Sequence, residues 1–324
     1  MRVFRGLTTR LPDPAAITIG NFDGVHQGHQ ALLARLMQQA GARGLPSTVV
    51  TFEPHPREFF TPQAAPVRLT SLREKLELLA ACGVAQTVVL PFNHTLASQT
   101  AEQFMYDTLR DQLQCRYLLI GDDFRFGQRR SGDFQTLQQH AAQLGLALEA
   151  MTTIEHAGLR ASSTAVRAAL AQGELASATA LLGRPYRISG RVMHGNKLGR
   201  TIGYPTANVQ IKHNRPPLSG IFAVSVDGLG DRPWPGAASL GVRPTVTNDG
   251  LVTLEVYLFN FDRQIYGQHL GVRFHHKLRD EARFPDLPTL VERIGQDVIE
   301  AQAYFAQHPA LLQPEALALA QPLI

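Results

Sequence analysis

The chain has 324 residues, of which 44% are hydrophobic and 18% charged, and its formal net charge is +4 at pH 7. This length predicts about two domains with well-buried cores. The basic excess is small and contains no block of five or six Lys or Arg residues. It fits a polyanionic small molecule as well as nucleic acid, and nucleic acid is not expected as the main partner.

The sequence also bounds the expected compartment. No apolar run approaches the roughly 20 residues that span a bilayer, and the first residues lack the apolar core of a signal peptide. Cys82 and Cys115 form neither a disulfide framework nor a metal cluster, and both are expected in the core. These features predict a cytoplasmic protein without a membrane partner.

Up to about residue 184 the hydrophobic pattern alternates between strands and helices. The strands are short, almost continuous apolar runs, as expected for strands buried on both faces of a parallel sheet. The predicted strands are 15–19, 47–52, 85–90, 116–120 and 147–152. The predicted helices are 28–42, 71–82, 100–112, 134–144 and 163–181. Ligands of such sheets bind beyond the carboxyl ends of the strands, where the polar motifs fall.

The most informative motif follows the first predicted strand, at residues 20–29, G-N-F-D-G-V-H-Q-G-H. It joins a strand through a glycine-rich turn to the start of a helix, where backbone N–H groups and the helix dipole favour phosphate. His26 and His29 can each donate a hydrogen bond to a phosphate oxygen and carry charge near neutral pH. Gly28 is expected to leave room for a ligand to approach the backbone.

Two other interpretations of this motif stay open. It could be a glycine-rich turn whose histidines are merely exposed. A zinc site would need further Cys or His ligands at suitable spacing, and none lies nearby in the sequence. The strand before the motif and the amphipathic helix after it favour the phosphate interpretation.

The loop after the second predicted strand reads F-E-P-H-P-R at residues 52–57. Its two prolines predict an extended segment that holds His55 in place. One interpretation makes this loop a lip of the nucleotide pocket. The other makes it a rigid surface turn without a ligand.

The loop after the fourth predicted strand reads G-D-D-F-R-F-G at residues 121–127. Phe124 and Phe126 alternate there with polar side chains, and their faces could stack on a flat ring. Asp123 could accept a hydrogen bond from the ring or from a ribose. The structural alternative is a solvated loop whose aromatic side chains pack inward.

The last predicted helix of this half begins in R-A-S-S-T-A-V-R, residues 160–167. Ser163 or Thr164 would suit an N-cap, which alone could explain them. Hydroxyl and N–H groups between Arg160 and Arg167 would also clamp a triphosphate. The clamp is favoured, because the two histidines need a second set of phosphate contacts.

From about residue 185 the apolar pattern changes to a period of two, which predicts an antiparallel barrel. Apolar faces are formed by Phe222, Val224 and Val226, by alternate residues of 254–258, and by Leu270, Val272, Phe274 and His276. An amphipathic helix is predicted at 288–306. The domains are therefore expected at 1–184 and 185–306, followed by a tail at 307–324.

One segment of this second half, residues 194–208, is rich in glycine and polar side chains. Its glycines predict a pliable loop. Thr206 and Asn208 lie two residues apart and would share one side of an extended chain. Hard oxygen ligands of this kind suit Mg²⁺ held jointly with ATP phosphates, although a structural turn is also possible. Glu255 is either a solvated face residue or the base that takes a proton from a substrate hydroxyl.

Together these motifs resemble the bacterial bifunctional riboflavin kinase/FAD synthetase family over roughly residues 1–306. In chain order they are G-N-F-D-G-V-H-x-G-H at 20–29, F-E-P-H-P at 52–56, G-D-D-F-R-F-G at 121–127, S-S-T-x-x-R at 162–167, G-R-T-I-G-Y-P-T-A-N at 199–208 and L-E-V-Y-L at 254–258. The resemblance implies a Rossmann-like α/β nucleotidylyltransferase domain followed by a riboflavin kinase-like β-barrel with a terminal helix.

The resemblance further implies two Mg²⁺-dependent reactions in flavin cofactor synthesis. The barrel would convert riboflavin and ATP to FMN and ADP. The N-terminal half would convert FMN and a second ATP to FAD and pyrophosphate. Partners would be these small molecules, without nucleic acid, and the protein would be a monomer or a weak homo-oligomer.

The resemblance assigns roles residue by residue, with His26, His29 and Glu255 as the catalytic set. In the N-terminal half the implied ATP contacts are Gly20, Phe22, Asp23, His26, Gly28, His29, Arg160, Ser163, Thr164 and Arg167. The implied FMN contacts are His55, Asp123, Phe124 and Phe126. In the barrel the implied ATP and Mg²⁺ contacts are Gly199, Gly203, Thr206 and Asn208, of which Thr206 and Asn208 are metal ligands. The implied flavin contacts of the barrel are Arg279 and Phe284.

Three rival functions stay open at this point. A single-activity adenylyl- or cytidylyltransferase would leave Glu255 and the P-T-A-N loop without a role. Class I aminoacyl-tRNA synthetases share the H-x-G-H logic but carry a lysine-rich K-x-S-K loop, where this chain reads S-S-T-x-x-R. A flavin-binding sensor or carrier would bind flavin without turning over ATP.

Overall fold

The structure is a computed structural model that describes residues 1–6, 10–151, 155–156, 159–195, 198–212, 215–242 and 252–313. Residue 152 of a predicted strand, residues 196–197 of the glycine-rich segment and the tail from 314 onward lie outside the described residues. The chain forms two compact units. Among the described residues, the first comprises Met1–Pro66 and Lys75–Ser162, and the second comprises Val67–Glu74 and residues 163–313. The predicted domain boundary at residue 184 stays a prediction.

The first unit contains the predicted parallel sheet, which is confirmed. Its strands are β1 (Arg2–Arg5), β2 (Ala15–Ile19), β3 (Ser47–Glu53), β4 (Gln86–Pro91), β5 (Cys115–Gly121) and β6 (Ala147–Met151). They pair in parallel in the order β1-β4-β3-β2-β5-β6. The edge strand β1 is not predicted from the sequence, because its four residues begin and end with arginine and carry no long apolar run.

Helices cover both faces of this sheet. They are α1 (Gln27–Ala42), α2 (Pro56–Phe60), α3 (Leu72–Ala81), α4 (His94–Ser98), α5 (Ala101–Gln103, continued as a π-helix over Phe104–Gln112) and α6 (Phe134–Leu144). Short 3₁₀ turns span Pro62–Ala64 and Gln128–Arg130. The two-residue strands β7 (Glu155–His156) and β8 (Leu159–Arg160) form an antiparallel pair. Every residue of β2 is buried, as expected for a central strand between two helical layers.

The order in which successive strands join the sheet reverses at β2. From β2 the chain proceeds to β3 and β4 on one side, and then returns to β5 on the other side. Open α/β sheets bind their ligands outside the carboxyl ends of the strands at such a reversal. The loops at 20–26 and 122–133 leave the sheet from β2 and β5, and both therefore start at this point.

The second unit begins with two helices where the sequence predicts one. They are α7 (Ser163–Gln172) and α8 (Leu175–Leu182). The predicted single helix over 163–181 is wrong because Gly173 adopts a left-handed conformation with φ of 76°. A glycine in this conformation terminates a helix, and the chain restarts at Leu175.

The predicted antiparallel barrel and terminal helix are confirmed. The barrel strands are β9 (Tyr186–Met193), β10 (Thr206–Gln210), β11 (Gly220–Asp227), β12 (Trp234–Val242), β13 (Val252–Leu258) and β14 (His269–Arg279). They close in the order β10-β13-β12-β11-β14-β9. The helices are α9 (Leu198–Thr201) and α10 (Leu287–Gln307), followed by a 3₁₀ turn at Pro309–Leu312. Ala301 and Phe305 of α10 pack on the outer wall against Ala223 and Ala237.

One residue of the predicted barrel interior lies elsewhere. Phe274 and Val272 are fully buried in the barrel, but His276 is exposed. The pairing of β11 with β14 shifts between Ala223 and Val224, so His275 is an extra residue in β14. Such a bulge reverses the alternation of side chains beyond it, which explains why the period-two pattern fails at His276.

This bulge buries a titratable group. The Nε2 atom of His275 lies 2.8 Å from the Ser225 hydroxyl oxygen, and its ring contacts Phe305 of α10 at a centroid distance of 5.8 Å. Burial, with smaller contributions from Arg273 and His308, lowers the pKa of His275 from 6.5 to about 4. The folded protein therefore keeps this imidazole neutral at a pH where the unfolded chain protonates it.

We expect His275 to destabilise the fold below about pH 6.5, because only the unfolded chain gains its proton until the pH nears 4. Between pH 7 and pH 5 this difference amounts to about 2 kcal/mol in the free energy of unfolding. Urea unfolding followed by fluorescence of the single tryptophan, Trp234, measures it. His275→Gln should lose about that much less stability than the parent protein over the same interval. Equal losses in the two proteins would contradict the assignment.

Candidate active sites

The turn that follows β2 has an unusual backbone. Phe22 and Val25 have positive φ angles of 47° and 41°, and Gly24 has 81°. A β-branched residue such as valine is a genuine outlier in this region. The side chains of Phe22 and Val25 are fully buried and pack against Val49 and Leu33. Strain that is held in place by burial is typical of functional turns.

The two histidines of the motif lie together at the start of α1. His26 is its N-cap, and the His26 Nδ1 atom accepts a hydrogen bond from the His29 N–H at 3.4 Å. The rings stack at a centroid distance of 3.7 Å and an angle of 21°. Because Nδ1 is the acceptor, a neutral His26 carries its proton on Nε2. The Phe22 ring supports His29 from 4.9 Å.

Gly28 packs closely against other parts of the protein. A Cβ atom at this position would lie 3.1 Å from the Ala161 carbonyl oxygen and 3.3 Å from the His26 ring. The contact predicted between Gly28 and ATP stays a prediction. The close approach places Ala161, in the segment that precedes α7, directly beside the start of α1.

The other predicted ATP contacts of the N-terminal half are distributed as follows. A Cβ atom on Gly20 would lie 3.1 Å from the Phe22 ring, and Asp23 is buried. Arg160 ends β8, and its side chain lies outside the described part of the structure. Helix α7 of the second unit begins with Ser163 and carries Thr164 and Arg167, whose Nε donates to the Val67 carbonyl at 2.6 Å.

His55 caps a helix that was not predicted. Its ring nitrogen Nδ1 accepts from the Arg57 N–H at 3.1 Å, and its own N–H donates to Glu58 at the same distance. This capping box starts the short helix α2 at Pro56. The extended loop predicted from the two prolines is therefore wrong beyond His55, because proline is also favourable in the first turn of a helix.

An aromatic cluster, missed by the sequence reasoning, lies at the carboxyl ends of β3 and β4. Phe92 meets Phe52, Phe59 and Phe60 at centroid distances of 5.7, 5.5 and 5.5 Å, and Phe59 meets His94 at 4.9 Å. Phe60 is 62% exposed, which is unusual for so large an apolar side chain. The signal in the sequence was the placement of Phe59-Phe60 and P-F-N-H directly after two apolar strands.

In the loop after β5 the two predicted aromatic contacts behave differently. The Phe126 ring is buried, lies 5.4 Å from Phe104 and covers Gly132. The inward-packing alternative therefore holds for Phe126. Phe124 is half-buried and stacks on Phe126 at 5.6 Å, while Asp123 is exposed.

The barrel brings its predicted polar residues together. Thr206 and Asn208 share one face of β10, as predicted. Asn208 lies directly opposite Glu255 of β13 in the antiparallel register. The Thr206 hydroxyl donates to the Glu255 carboxylate at 3.4 Å. Three oxygen-bearing side chains from two strands therefore meet on the outer wall of the barrel.

The glycines before β10 allow close approaches there. A Cβ atom on Gly199 would lie 2.3 Å from the Tyr204 carbonyl oxygen and 3.4 Å from the Thr206 hydroxyl oxygen. Gly203 adopts a left-handed φ of 86° with open space around it. Part of this predicted loop is the short helix α9. The Tyr204 ring then meets the edge of Tyr257 at 5.3 Å.

Arg279 is anchored to the terminal helix. Its guanidinium makes a bidentate ion pair with the buried Asp297 of α10, at 2.9 and 2.7 Å. Arg293 contacts the same carboxylate at 2.9 Å. The Arg279 guanidinium carbon also lies 5.5 Å from the centre of the Phe284 ring. The two predicted flavin contacts of the barrel are thus adjacent, and Asp297 fixes the orientation of Arg279.

Comparison with known proteins gives a match in each half of the chain. The FAD synthetase family model matches residues 8–165, and the riboflavin kinase family model matches residues 182–305. The bifunctional riboflavin kinase/FMN adenylyltransferase of Pseudomonas fluorescens is 49% identical over 94% of this chain and 98% of its own length. Its counterpart in Escherichia coli strain K12 is 46% identical over the same shares.

A solved structure titled as a macrolide-efflux protein from Streptococcus pneumoniae has the same fold. It superposes with a TM-score of 0.77 and 28% identity, over 92% of this chain and 97% of its own. In the described residues of this chain no helix is long and apolar enough to cross a membrane.

The parallel α/β sheet and the closed barrel, each matched by its own family model, make the chain a transferase built of two units. The chain belongs to the bifunctional riboflavin kinase/FMN adenylyltransferase family. It is an enzyme with two activities, one giving FMN from riboflavin and the other giving FAD from FMN. Because both halves match a family model, the single-activity alternative is not supported.

We expect Gly28→Ala to lower FAD formation about tenfold, because the new methyl group displaces the Ala161 carbonyl or the His26 ring. Gly41→Ala is the matched control, since it changes the same helix where no atom lies within 4 Å of the new methyl group. It should leave activity unchanged and stabilise α1 slightly. Initial rates of FAD formation from FMN measure the effect. Equal rates in the two variants would show that the close packing at Gly28 is unimportant.

Proposed function

We propose that His26 and His29 bind the phosphates of ATP during adenylyl transfer to FMN. Their stacked rings stand at the N-terminus of α1, beside the sheet reversal at β2. Adenylyl transfer depends on positioning and on neutralising charge on the phosphates. The Nε2–H of His26 would donate a hydrogen bond to the leaving pyrophosphate, and the positive end of the α1 dipole would stabilise the negative charge that develops there.

We assign the flavin ring of FMN to the aromatic cluster at the carboxyl ends of β3 and β4. Phe60 presents the most exposed ring of this cluster, and the half-buried Phe124 offers a second face. Flat ligands are held by offset or edge-to-face contacts with such rings. Asp123 supplies an exposed acceptor near Phe124, and His55 acts by starting α2, which carries Phe60.

In the barrel, Thr206 and Asn208 would hold Mg²⁺ together with ATP phosphates, next to Gly199 and Gly203. The donor set fits this ion, because the hydroxyl of Thr206 and the amide oxygen of Asn208 are hard oxygen ligands on one face of β10. The bound ion would neutralise phosphate oxygens.

Glu255 would accept the proton of the riboflavin 5′-hydroxyl as that oxygen attacks. The Thr206 hydroxyl, 3.4 Å away, orients the carboxylate. Arg279 and Phe284 would border the flavin.

The remaining assignments complete the proposal. Backbone groups of Gly20, Phe22 and Asp23 and side chains of Arg160, Ser163, Thr164 and Arg167 would contact ATP in the adenylyl transfer. We further propose that the enzyme works in the cytoplasm as a monomer or weak homo-oligomer, with small molecules as its partners and without nucleic acid or membrane.

The observation that carries this proposal is the separation of the two constellations. His26 and His29 belong to the first compact unit, and Thr206, Asn208 and Glu255 belong to the second. Two sites built from different residues predict two activities that single substitutions can abolish independently.

We expect Glu255→Gln to reduce FMN formation at least about 100-fold and to leave conversion of FMN to FAD intact, because glutamine cannot accept the proton. His29→Ala should do the reverse, with a loss of about 100-fold in FAD formation. Chromatographic separation of riboflavin, FMN and FAD measures both steps in one sample.

The matched controls are Glu292→Gln on α10 and His140→Ala on α6, which make the same chemical changes at positions without a proposed role. Both should retain both activities. If Glu255→Gln or His29→Ala stopped both reactions in a folded protein, the assignment of two separate sites would be wrong.

A further inference from the structure

The loop between β5 and α6 contains two successive arginines in an unfavourable conformation. Arg129 and Arg130 have positive φ angles of 55° and 59°. This conformation is strained for any residue other than glycine. Strained residues of this kind cluster where a side chain must be aimed, and neither arginine belongs to any motif assigned above.

The tip of this loop is held rigid. Phe126 and Gly132 exchange two backbone hydrogen bonds, at 3.0 and 2.9 Å, and the Phe126 ring covers Gly132. The N–H of Gln128 donates to the Gln99 carbonyl at 2.7 Å. The N–H groups of Arg130 and Ser131 donate within the turn, at 3.0 and 3.3 Å. The N–H groups of Gln128, Arg130, Ser131 and Gly132 are therefore occupied by protein carbonyl groups.

The two guanidinium groups point away from the fold. Arg129 and Arg130 are both exposed, and neither guanidinium forms a hydrogen bond or ion pair with another residue in the described ranges. Arg125 in the same loop differs, because its guanidinium donates to the Phe124 carbonyl at 2.9 Å. The tip of the loop thus presents two adjacent guanidinium cations. Their backbone is strained, and the surrounding hydrogen bonds hold it in place.

Chain contacts connect the tip to the aromatic cluster. Gln128 bonds to Gln99, which directly follows α4, and His94 at the start of α4 contacts Phe59 of the cluster. Both features lie at the carboxyl edge of the sheet, where the substrates of this unit bind. A ligand that bears a flat ring and an anionic group would find a partner for each of them there.

We propose that Arg129 and Arg130 bind the phosphate of FMN and allow the adenylyltransferase unit to select FMN over riboflavin. The two flavins share the same ring and differ by this phosphate, so ring contacts alone cannot distinguish them. Riboflavin, the substrate of the other activity, would otherwise compete for the ring site. Arginine binds phosphate in a bidentate geometry, which suits this selection. The inference rests on the adenylyl transfer and on the ring site proposed for FMN.

The test is the variant Arg129→Asn/Arg130→Asn. Asparagine tolerates the left-handed conformation, so the loop keeps its backbone while losing both charges. We expect the KM for FMN in FAD formation to rise about tenfold or more. The inhibition constant of 5′-deoxyriboflavin, which has no phosphate and no hydroxyl for the kinase, should stay unchanged. Arg129→Lys/Arg130→Lys should restore part of the affinity for FMN.

Two comparison variants make the result specific. Arg43→Asn/Arg116→Asn removes the same charge at the amino-terminal edge of the same sheet and should leave the KM for FMN unchanged. Phe60→Ala should raise the KM for FMN and the inhibition constant of 5′-deoxyriboflavin by the same factor, because both ligands carry the ring. If Phe60→Ala raised neither constant, the proposed ring site would be wrong. The double asparagine variant would still test the arginine proposal independently.

Three outcomes would overturn the proposal. The KM for FMN could stay unchanged in the double asparagine variant. The KM for FMN and the inhibition constant of 5′-deoxyriboflavin could rise together, which would show that the loop only supports the structure of the ring site. The KM for ATP could rise instead, which would place the arginines at the nucleotide.

Discussion

Burial of the Phe22 and Val25 side chains holds the turn after β2 in a left-handed backbone conformation that both residues disfavour. The conformation of this turn determines where α1 begins, and hence where His26 caps it and His29 stacks on His26. The hydrophobic core of the first unit thus positions the histidine pair to which we assign the binding of phosphate. A substitution that loosened the core beneath the turn would release strain and would misplace both histidines together.

In the barrel, the register between strands positions the polar side chains. Closure of the barrel fixes which residues of β10 and β13 lie opposite each other, and Asn208 therefore meets Glu255. The alternation of side chains then directs Leu254 and Val256 inward and Glu255 outward. A shift of one residue would exchange these faces, so the same hydrophobic burial that stabilises the barrel also selects the geometry of its acidic site.

Elements with strong periodicity were predictable from the sequence, and local exceptions were not. The helix at 134–144 has the bounds expected from its apolar spacing, because Asp133 caps it and Gly145 ends it. The helix break at Gly173 and the bulge before His276 each depend on a single residue. The apolar spacing continues on both sides of each residue and therefore conceals the exception. The aromatic cluster around Phe92 depends on the order of strands in the sheet, which a single apolar run does not reveal.

Two independent sites on one chain would act in sequence on flavin. Incubation of the purified protein with riboflavin, ATP and Mg²⁺, with the flavins followed by chromatography, tests both sites together. We expect riboflavin to pass through FMN to FAD, with release of both ADP and pyrophosphate. Accumulation of FMN without FAD would contradict the role assigned to the histidine pair. Unchanged riboflavin, with FAD formed only from added FMN, would contradict the role assigned to Glu255 and the barrel.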